Sequence, residues 1–214
     1  MSKLKGYATS TTTLKNIEFL KNLGWGLFIT PDRPEVHSFK DFAIDNGAWS
    51  AYSRKVSWHK KYEKRFRLIC DVYGEMSDFI VCPDIVAGGY KSLDLSLSYL
   101  DHLKIYGTKI LIPVQDGIQP CSELYSVLSS EIGLFIGGTT NWKLHNLPTW
   151  SWVSEKTNCY LHVARVNSCK RMALCASFKV NSFDGTSLSR YSVDAIRMNN
   201  CRLRLIKGFY EDEL

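Results

Sequence analysis

No apolar stretch in this sequence approaches the roughly 20 residues that a membrane-spanning helix needs. The amino-terminal segment MSKLKGYATSTTT also lacks the apolar core of a signal peptide. These absences predict a cytoplasmic protein that has no membrane partner. The terminal EDEL, residues 211–214, resembles an endoplasmic-reticulum retention signal, but without a signal peptide we interpret it as a solvated acidic tail.

Cys-x-x-Cys pairs are absent, although the chain has seven cysteines. Because no ligand cluster has zinc-finger spacing, we expect reduced thiols and predict neither a metal nor another cofactor. Proline-rich and low-complexity runs are absent too, so nothing predicts disorder. With 214 residues, 45% of them hydrophobic, residues 1–214 are predicted to form a single domain with a sizeable core.

Positive charge is unevenly spread along a chain whose net charge is +6. Residues 54–67, RKVSWHKKYEKRFR, carry seven Lys or Arg against one Glu, and residues 197–207, RMNNCRLRLIK, carry four with no acid. Such segments neutralise phosphates in nucleic-acid complexes, although a solvated helix face is the ordinary explanation. Trp58, Tyr62 and Phe66 recur every four residues, which predicts one helix with an aromatic core face and a basic outer face.

Short apolar runs rich in β-branched and aromatic residues alternate with segments of helical pattern. Residues 14–24 and 92–107 have helical spacing and end in glycine, and 121–130 is a shorter helix candidate. This alternation predicts an α/β fold with a parallel sheet covered on both faces. We favour a compact (β/α)8 barrel of the TIM type, with an open doubly wound sheet as the alternative. The predicted strands are 5–9, 26–30, 42–45, 79–84, 109–115, 133–138, 160–165 and 180–185.

Five of the predicted strands end on polar residues or paired glycines. Active sites of parallel α/β folds lie at the carboxyl ends of the strands. We therefore predict that the carboxylates among these residues line one pocket at that end. The strand ends are Ile44-Asp45, Pro83-Asp84, Val114-Gln115-Asp116, Ile136-Gly137-Gly138 and Phe183-Asp184-Gly185.

Each of these strand ends belongs to a longer motif, and the motifs follow one another as FAIDNGAW, FIVCPD, PVQDG, GLFIGG and NSFDG. In this order they resemble the tRNA-guanine transglycosylase superfamily. They are most similar to its short branch, the DpdA-type DNA 7-deazaguanine transglycosylases, many of which phages encode. GGTTNWK (137–143) and HVARVNS (162–168) also resemble this branch. Over residues 42–190, the resemblance implies a TIM barrel that exchanges guanine for a 7-deazaguanine base such as preQ0 or preQ1.

The resemblance also implies residue roles. Asp184 would be the nucleophile, and Asp45 would be the acid that protonates the departing base and deprotonates the incoming one. A second stacking segment falls near His162, where the register is ambiguous, and we interpret His162 itself as a structural strand residue. Of the base-binding residues, Asp84 would read the guanine edge and Trp49 would stack on the ring. Gln115 would make a further contact with the base, and Gly137 and Gly138 would bind it through their backbone N–H groups.

The chemistry explains why such residues are needed. Exchanging a base at C1′ with retention takes two displacements through a sugar ester, as in retaining glycosidases. This requires a carboxylate nucleophile and a second acid whose pKa is raised by burial.

The tRNA enzymes of the superfamily carry a zinc site, with three closely spaced cysteines and a histidine after the nucleophile. After Asp184 this chain has only Cys201 and no histidine, so the zinc-bearing segment is missing. We therefore expect the partners to be DNA, double-stranded with a flipped base or single-stranded, and a free 7-deazaguanine base. The location would be the host cytoplasm if a phage encodes the chain, and a homodimer is left open. The predicted DNA-binding residues are Arg54, Lys55, Lys60, Lys61, Arg165, Lys170 and Arg171.

Each motif also has an ordinary structural explanation. Asp45 and Gln115 could belong to turns, Asp84 could cap a helix, Trp49 could be core, and Asp184-Gly185 could signal a hairpin. Three other functions stay open: a tRNA-acting relative, a non-catalytic nucleic-acid-binding barrel, and a barrel enzyme that acts on a small molecule.

Overall fold

Eight parallel strands close into a barrel in the computed structural model of the chain, which describes residues 4–11, 13–190 and 192–206. Each strand pairs with its neighbours in sequence, and β1 pairs with β8 to close the ring. All eight predicted strands are confirmed, and the closed barrel replaces the doubly wound alternative. The strands are β1 (Lys5–Thr9), β2 (Gly26–Ile29), β3 (Phe42–Ile44), β4 (Phe79–Val81), β5 (Lys109–Val114), β6 (Ile132–Ile136), β7 (Leu161–Val163) and β8 (Ser182–Gly185).

Helices surround the barrel, and a short 3₁₀ helix, Gly74–Met76, precedes β4. Those predicted at 14–24, 92–107 and 121–130 are present, the second divided in two. The helices are α1 (Leu14–Asn22), α2 (Ala48–Ser53), α3 (Trp58–Lys61), α4 (Glu63–Tyr73), α5 (Tyr90–Ser98), α6 (Leu100–Lys104), α7 (Ser122–Tyr125), α8 (Thr140–Thr157), α9 (Cys169–Ser177), α10 (Ser187–Arg190) and α11 (Ser192–Ile206).

Aromatic rings fill the barrel interior. Five rings lie with centroids 5.0 to 6.3 Å apart, those of Tyr7, Phe28, Phe79, Phe135 and His162. Alternate residues of the same strands point outward and pack against the helices, as the two-residue period of a strand requires. The barrel interior is therefore a packed core rather than a pore.

The amino-terminal end of the barrel is closed by an ion-pair network. The ammonium of Lys5 lies 2.8 Å from carboxylate oxygens of both Asp41 and Asp78. The hydroxyl of Tyr7 donates to Asp78 at 2.9 Å. Because this end is sealed, the carboxyl ends of the strands form the mouth.

The basic segment 54–67 forms two helices rather than the predicted single one. Trp58, Tyr62 and Phe66 are buried, as predicted, but the helix is interrupted at Tyr62, which lies between α3 and α4. Side chains on α3 and at the break are held by the loops of the mouth: the indole of Trp58 donates to the carbonyl of Asn46, and the hydroxyl of Tyr62 donates to Asp32. These contacts explain why a continuous helical periodicity is interrupted.

In the basic segment 197–207, Arg202 does not face solvent, whereas Arg197 and Arg204 are exposed. Arg202 is buried, stacks 4.3 Å from the ring of Trp25, and donates to the carbonyls of Leu23 and Gly24, which precede β2. It therefore lies at the end of the barrel opposite the mouth and ties α11 to α1. Lys207 and the acidic tail at 211–214 lie outside the described residues.

One cysteine pair contradicts the expectation of reduced thiols. Cys169 of α9 and Cys201 of α11 form a disulfide bond. The bond is possible because the barrel brings these two helices, which are distant in the sequence, into contact. Cys70, Cys82, Cys159 and Cys175 are buried free thiols, and Cys121 is a half-buried one. Over the ranges that the structure covers, no helix is both long enough and apolar enough to cross a membrane.

Cys201→Ser should lower the free energy of unfolding by about 2–4 kcal/mol without reductant, because the bridge closes a long loop in the unfolded chain. Urea denaturation with and without reductant measures this. The reduced wild type should unfold like the variant, and Cys121→Ser is the control, since Cys121 is a free cysteine. Equal wild-type midpoints with and without reductant would mean that the bridge does not stabilise the protein.

Candidate active site

The segment Asp45-Asn46-Gly47 turns the chain from the end of β3 into α2. The side-chain oxygen of Asn46 accepts from the N–H of Ala48 at 2.7 Å, and Gly47 has the left-handed conformation, with φ at 75°. Since a helix follows a parallel strand here, the Asn-Gly pair is not a hairpin turn. Gly47 also donates to Oδ1 of Asp45 at 3.3 Å, so the turn orients this carboxyl group.

Asn46 links the ends of β3 and β4. Its side-chain amide donates to the carbonyl of Cys82 and, at 2.9 Å, to Oδ1 of Asp84. Asn46 is buried, and sequence reasoning assigned it only to a turn. This amide holds Asp84 at the mouth through one oxygen, and no described residue bonds Oδ2.

Two of the carboxyl groups at the mouth, those of Asp45 and Asp84, have raised pKa values. Burial raises the pKa of Asp45 to about 7; the N–H of Gly47 opposes this, and the charges of Asp184 and Asp84 add to it. Burial likewise raises the pKa of Asp84 to about 6, against the lowering effect of Asn46. The structure thus brings the three predicted carboxylates to one end of the barrel, close enough for their charges to interact.

Asp184 is buried near the end of β8, with one oxygen engaged. Its Oδ1 lies 3.1 Å from Nε2 of His162 and accepts from the backbone N–H of Arg165 at 3.2 Å. No described residue contacts Oδ2 by a hydrogen bond, so only Oδ1 is held by the chain. β8 continues into α10 and pairs in parallel, so Asp184-Gly185 is not a hairpin turn.

Arg165 and Trp49 meet across the mouth. The guanidinium of Arg165 lies 4.8 Å from the ring of Trp49, which is 53% exposed and therefore not core. Arg165 also donates to the carbonyl of Gly138, and its backbone is left-handed, with φ at 58°. A non-glycine residue held in this conformation is typical of functional sites. The flat guanidinium covers the face of the indole on which a base was predicted to stack.

Two predicted base contacts are already used within the chain. Gln115 is buried, and its amide bonds the carbonyl of Ile85, the hydroxyl of Ser92 and the N–H of Ala87. Gly137 donates its N–H to the carbonyl of Val114 at 2.8 Å, so it cannot also contact a base O6. Gln115 instead positions the loop after β4.

Gly138 remains suited to a base contact. Its φ is 74°, and an added Cβ would collide with the Asp116 carboxylate. No contact within the described residues engages its N–H. Asp116 itself bonds the N–H and hydroxyl of Thr139 at 2.7 Å, which fixes the start of α8.

The predicted DNA-binding side chains form two groups on the rim. Lys55, Lys60 and Lys61 are exposed beside β3, where the described residues supply no ion pair for them, whereas Arg54 pairs with Asp32 at 3.0 Å. Arg165, Lys170 and Arg171 follow β7, on the opposite side of the ring of eight strands. The mouth therefore lies between two basic groups, which are Arg54, Lys55, Lys60 and Lys61 on one side and Arg165, Lys170 and Arg171 on the other.

Lys143 is a buried residue near the site to which the sequence assigned no role, although it is the last residue of the motif GGTTNWK. It lies on α8, is 5% exposed, and donates to the carbonyl of Ala164. Burial lowers the pKa of Lys143 to about 8, and the charges of Arg165 and Arg171 contribute. By holding Ala164, Lys143 supports the turn whose next N–H binds Asp184.

Among the residues that the structure covers, no three His, Cys, Asp or Glu side chains come together as a metal site requires. Fold and site together define a (β/α)8 barrel with an acidic mouth and a basic rim. No protein-family model matches the sequence, and no curated protein matches it either. The crystal structure of RipC from Yersinia pestis is similar at 10% identity and a TM-score of 0.53, covering 94% of this chain and 95% of that chain. At this identity the likeness shows the fold alone.

Proposed function

We propose that the protein is a DNA guanine transglycosylase that exchanges guanine in DNA for a 7-deazaguanine base. The observation that carries the proposal is the pair of acids at the mouth: Asp184, with one free oxygen, and Asp45, whose pKa is raised to about 7. A nucleophile beside an acid that titrates near neutrality is what base exchange with retention requires.

In the first displacement, Oδ2 of Asp184 attacks C1′ of a flipped deoxyguanosine. The C1′–N9 bond breaks, its electron pair goes to the guanine, and protonated Asp45 donates a proton to the departing base. The product is a deoxyribosyl ester of Asp184. Its carbonyl oxygen is Oδ1, which keeps its hydrogen bonds from His162 and Arg165.

In the second displacement, the incoming base gives its N9 proton to the Asp45 carboxylate. N9 then attacks C1′, and the ester C1′–O bond breaks with its electrons returning to Asp184. The two N–H donors on Oδ1 stabilise the negative charge as it returns. Asp45 thus acts as acid and base in turn, which a pKa near 7 favours at neutral pH.

Base recognition falls to Asp84, Trp49 and Gly138. Guanine and 7-deazaguanine both present N1–H and a 2-amino group, and an ionised carboxylate accepts from both. For Trp49 to stack on the base, the guanidinium of Arg165 must leave the indole. Arg165 is then free to contact phosphate, and the rim lysines lie beside the same opening.

The test is exchange of labelled guanine into double-stranded DNA, single-stranded DNA and tRNA in parallel, followed by nucleoside mass spectrometry with preQ0 and preQ1. Label in DNA supports the proposal. Label in tRNA alone identifies a tRNA-acting relative. Salt-sensitive binding without exchange identifies a non-catalytic nucleic-acid-binding barrel. If the protein shows neither binding nor exchange, the remaining function is that of an enzyme acting on a small molecule.

Asp84→Asn should weaken binding of free preQ1 roughly tenfold to a hundredfold, because a buried donor loses its acceptor. Asn46 holds the oxygen of the new side chain, so that its NH₂ faces the donors of the base. Calorimetry at pH 8, where Asp84 is ionised, measures the change. A 7-deazapurine without the 2-amino group is the control, since it should lose affinity for the wild type but little for the variant. Equal binding of preQ1 by both proteins would remove Asp84 from base recognition.

A further inference from the structure

His162 lies in β7 with both ring nitrogens hydrogen-bonded to side chains of β8. Nδ1 lies 2.7 Å from the hydroxyl of Ser182, and Nε2 lies 3.1 Å from Oδ1 of Asp184. The imidazole is fully buried and stacks on Phe135, with centroids 5.0 Å apart and planes 6° apart. Stacking and two hydrogen bonds together allow the ring one orientation.

The surroundings of His162 favour a neutral ring. The titratable groups that face it are Asp184 on β8, Lys143 on α8, Tyr7 on β1 and Tyr160 just before β7. Burial lowers the pKa of His162, and the Asp184 carboxylate offsets this only in part. At pH 7 the imidazole therefore carries a single N–H.

The partners decide which nitrogen carries that hydrogen. An ionised carboxylate only accepts, so Nε2 must donate to Asp184, and Nδ1 must accept from the hydroxyl of Ser182. The Asp184 carboxylate thus sets the tautomer, and the hydroxyl of Ser182 supports it by donating to Nδ1.

The same three residue types form the triad of serine hydrolases, but here their order is reversed. Ser182 is fully buried below the ring, whereas Asp184 lies at the mouth. Ser182 cannot reach a substrate, so the carboxylate is the reactive end of the arrangement.

We propose that His162, held by Ser182, is a positioning residue that fixes Asp184 through Oδ1 and leaves Oδ2 as the oxygen that attacks. The inference deepens the proposed function and rests on it in part. The role proposed for His162 lies in the hydrogen bond from its N–H to Asp184 and not in the packing of its ring.

The first test needs no activity. Nitrogen-15 NMR of labelled wild-type protein should show His162 as the neutral Nε2–H tautomer from pH 6 to 8. Ser182→Ala should keep this tautomer, since Nε2 still donates to the Asp184 carboxylate, but the Nδ1 resonance should shift because that nitrogen loses its hydrogen-bond donor. An imidazolium or an Nδ1–H tautomer in the wild type at pH 7 would overturn the proposal.

The second test compares two substitutions of the ring by the rate at which a covalent DNA adduct forms. His162→Phe keeps the stack on Phe135 without the donor, and the rate should fall roughly tenfold to a hundredfold. His162→Gln restores a neutral N–H at the position of Nε2, and most of the rate should return. If both folded variants lose the same fraction of the adduct-formation rate, His162 contributes only through the packing of its ring. If the wild type forms no adduct, the proposed function fails, while the NMR result still decides the tautomer.

Discussion

Asp184→Asn is expected to abolish the covalent adduct with DNA while leaving the barrel folded. The amide oxygen can keep the hydrogen bonds from His162 and from the N–H of Arg165, so the local structure should persist. The amide NH₂ then takes the position of Oδ2, where it cannot act as a nucleophile. Loss of a nucleophile typically costs a factor of roughly 10⁴ to 10⁶ in rate. Denaturing electrophoresis and intact-mass spectrometry measure the adduct.

Asp101→Asn is the matched control, because Asp101 is an exposed carboxylate on α6 that pairs with Lys104, away from the mouth. This variant should form the adduct at the wild-type rate. Intact mass must also show that the amide introduced by Asp184→Asn has not deamidated, since deamidation would restore the acid. If Asp184→Asn forms the adduct as fast as wild type does, the nucleophile lies elsewhere and the proposed mechanism is wrong.

Asp45→Asn should slow adduct formation by roughly 10²- to 10⁴-fold, the usual contribution of a general acid. In the wild type the same step should slow as the pH rises through about 7, because Asp45 then loses its proton. Discharge of the adduct by an incoming base should show the opposite trend. Rapid-quench measurement of each step from pH 5 to 9 tests this, and a variant with unchanged rates and pH profiles would exclude Asp45 as the acid.

The same substitution has a predicted effect on stability. The pKa of Asp45 is about 7 in the folded chain and near 4 when unfolded, so the folded state binds the proton more tightly. Between these values wild-type stability should fall as the pH rises, by up to about 4 kcal/mol for this group. Asp45→Asn is neutral at every pH, so it should match the wild type at pH 4 and exceed it at pH 8. Urea titrations of both proteins at each pH measure this. A difference in the free energy of unfolding between the two proteins that stays constant from pH 4 to pH 8 would contradict the raised pKa of Asp45.

The positions of the strands could be predicted from the sequence because each is a short apolar run with β-branched or aromatic residues. Their alternation with helices indicated a parallel sheet, and the acids at three strand ends indicated where a site would lie. The longest helix, α8, was not predicted, since it contains Pro148 and carries apolar residues on its exposed face as well, such as Leu144 and Trp152. Periodicity is weak when apolar residues are not confined to the buried face.

Roles that depend on contacts between distant segments were decided only by the tertiary structure. Gln115 and Gly137 looked like base contacts, but the folded chain uses their polar groups for a loop and a neighbouring strand. Arg202 looked like a phosphate ligand and instead packs on Trp25.

The reverse holds for two buried residues at the site, because the sequence indicated no role for Lys143 and only a structural strand position for His162. The sequence by itself determined which elements form and which acids stand at their ends, because these follow from local pattern. Closure of the barrel decided which side chains meet, since hydrogen bonds to Asp184 and to the turn beside it come from strands and helices that are far apart in the chain.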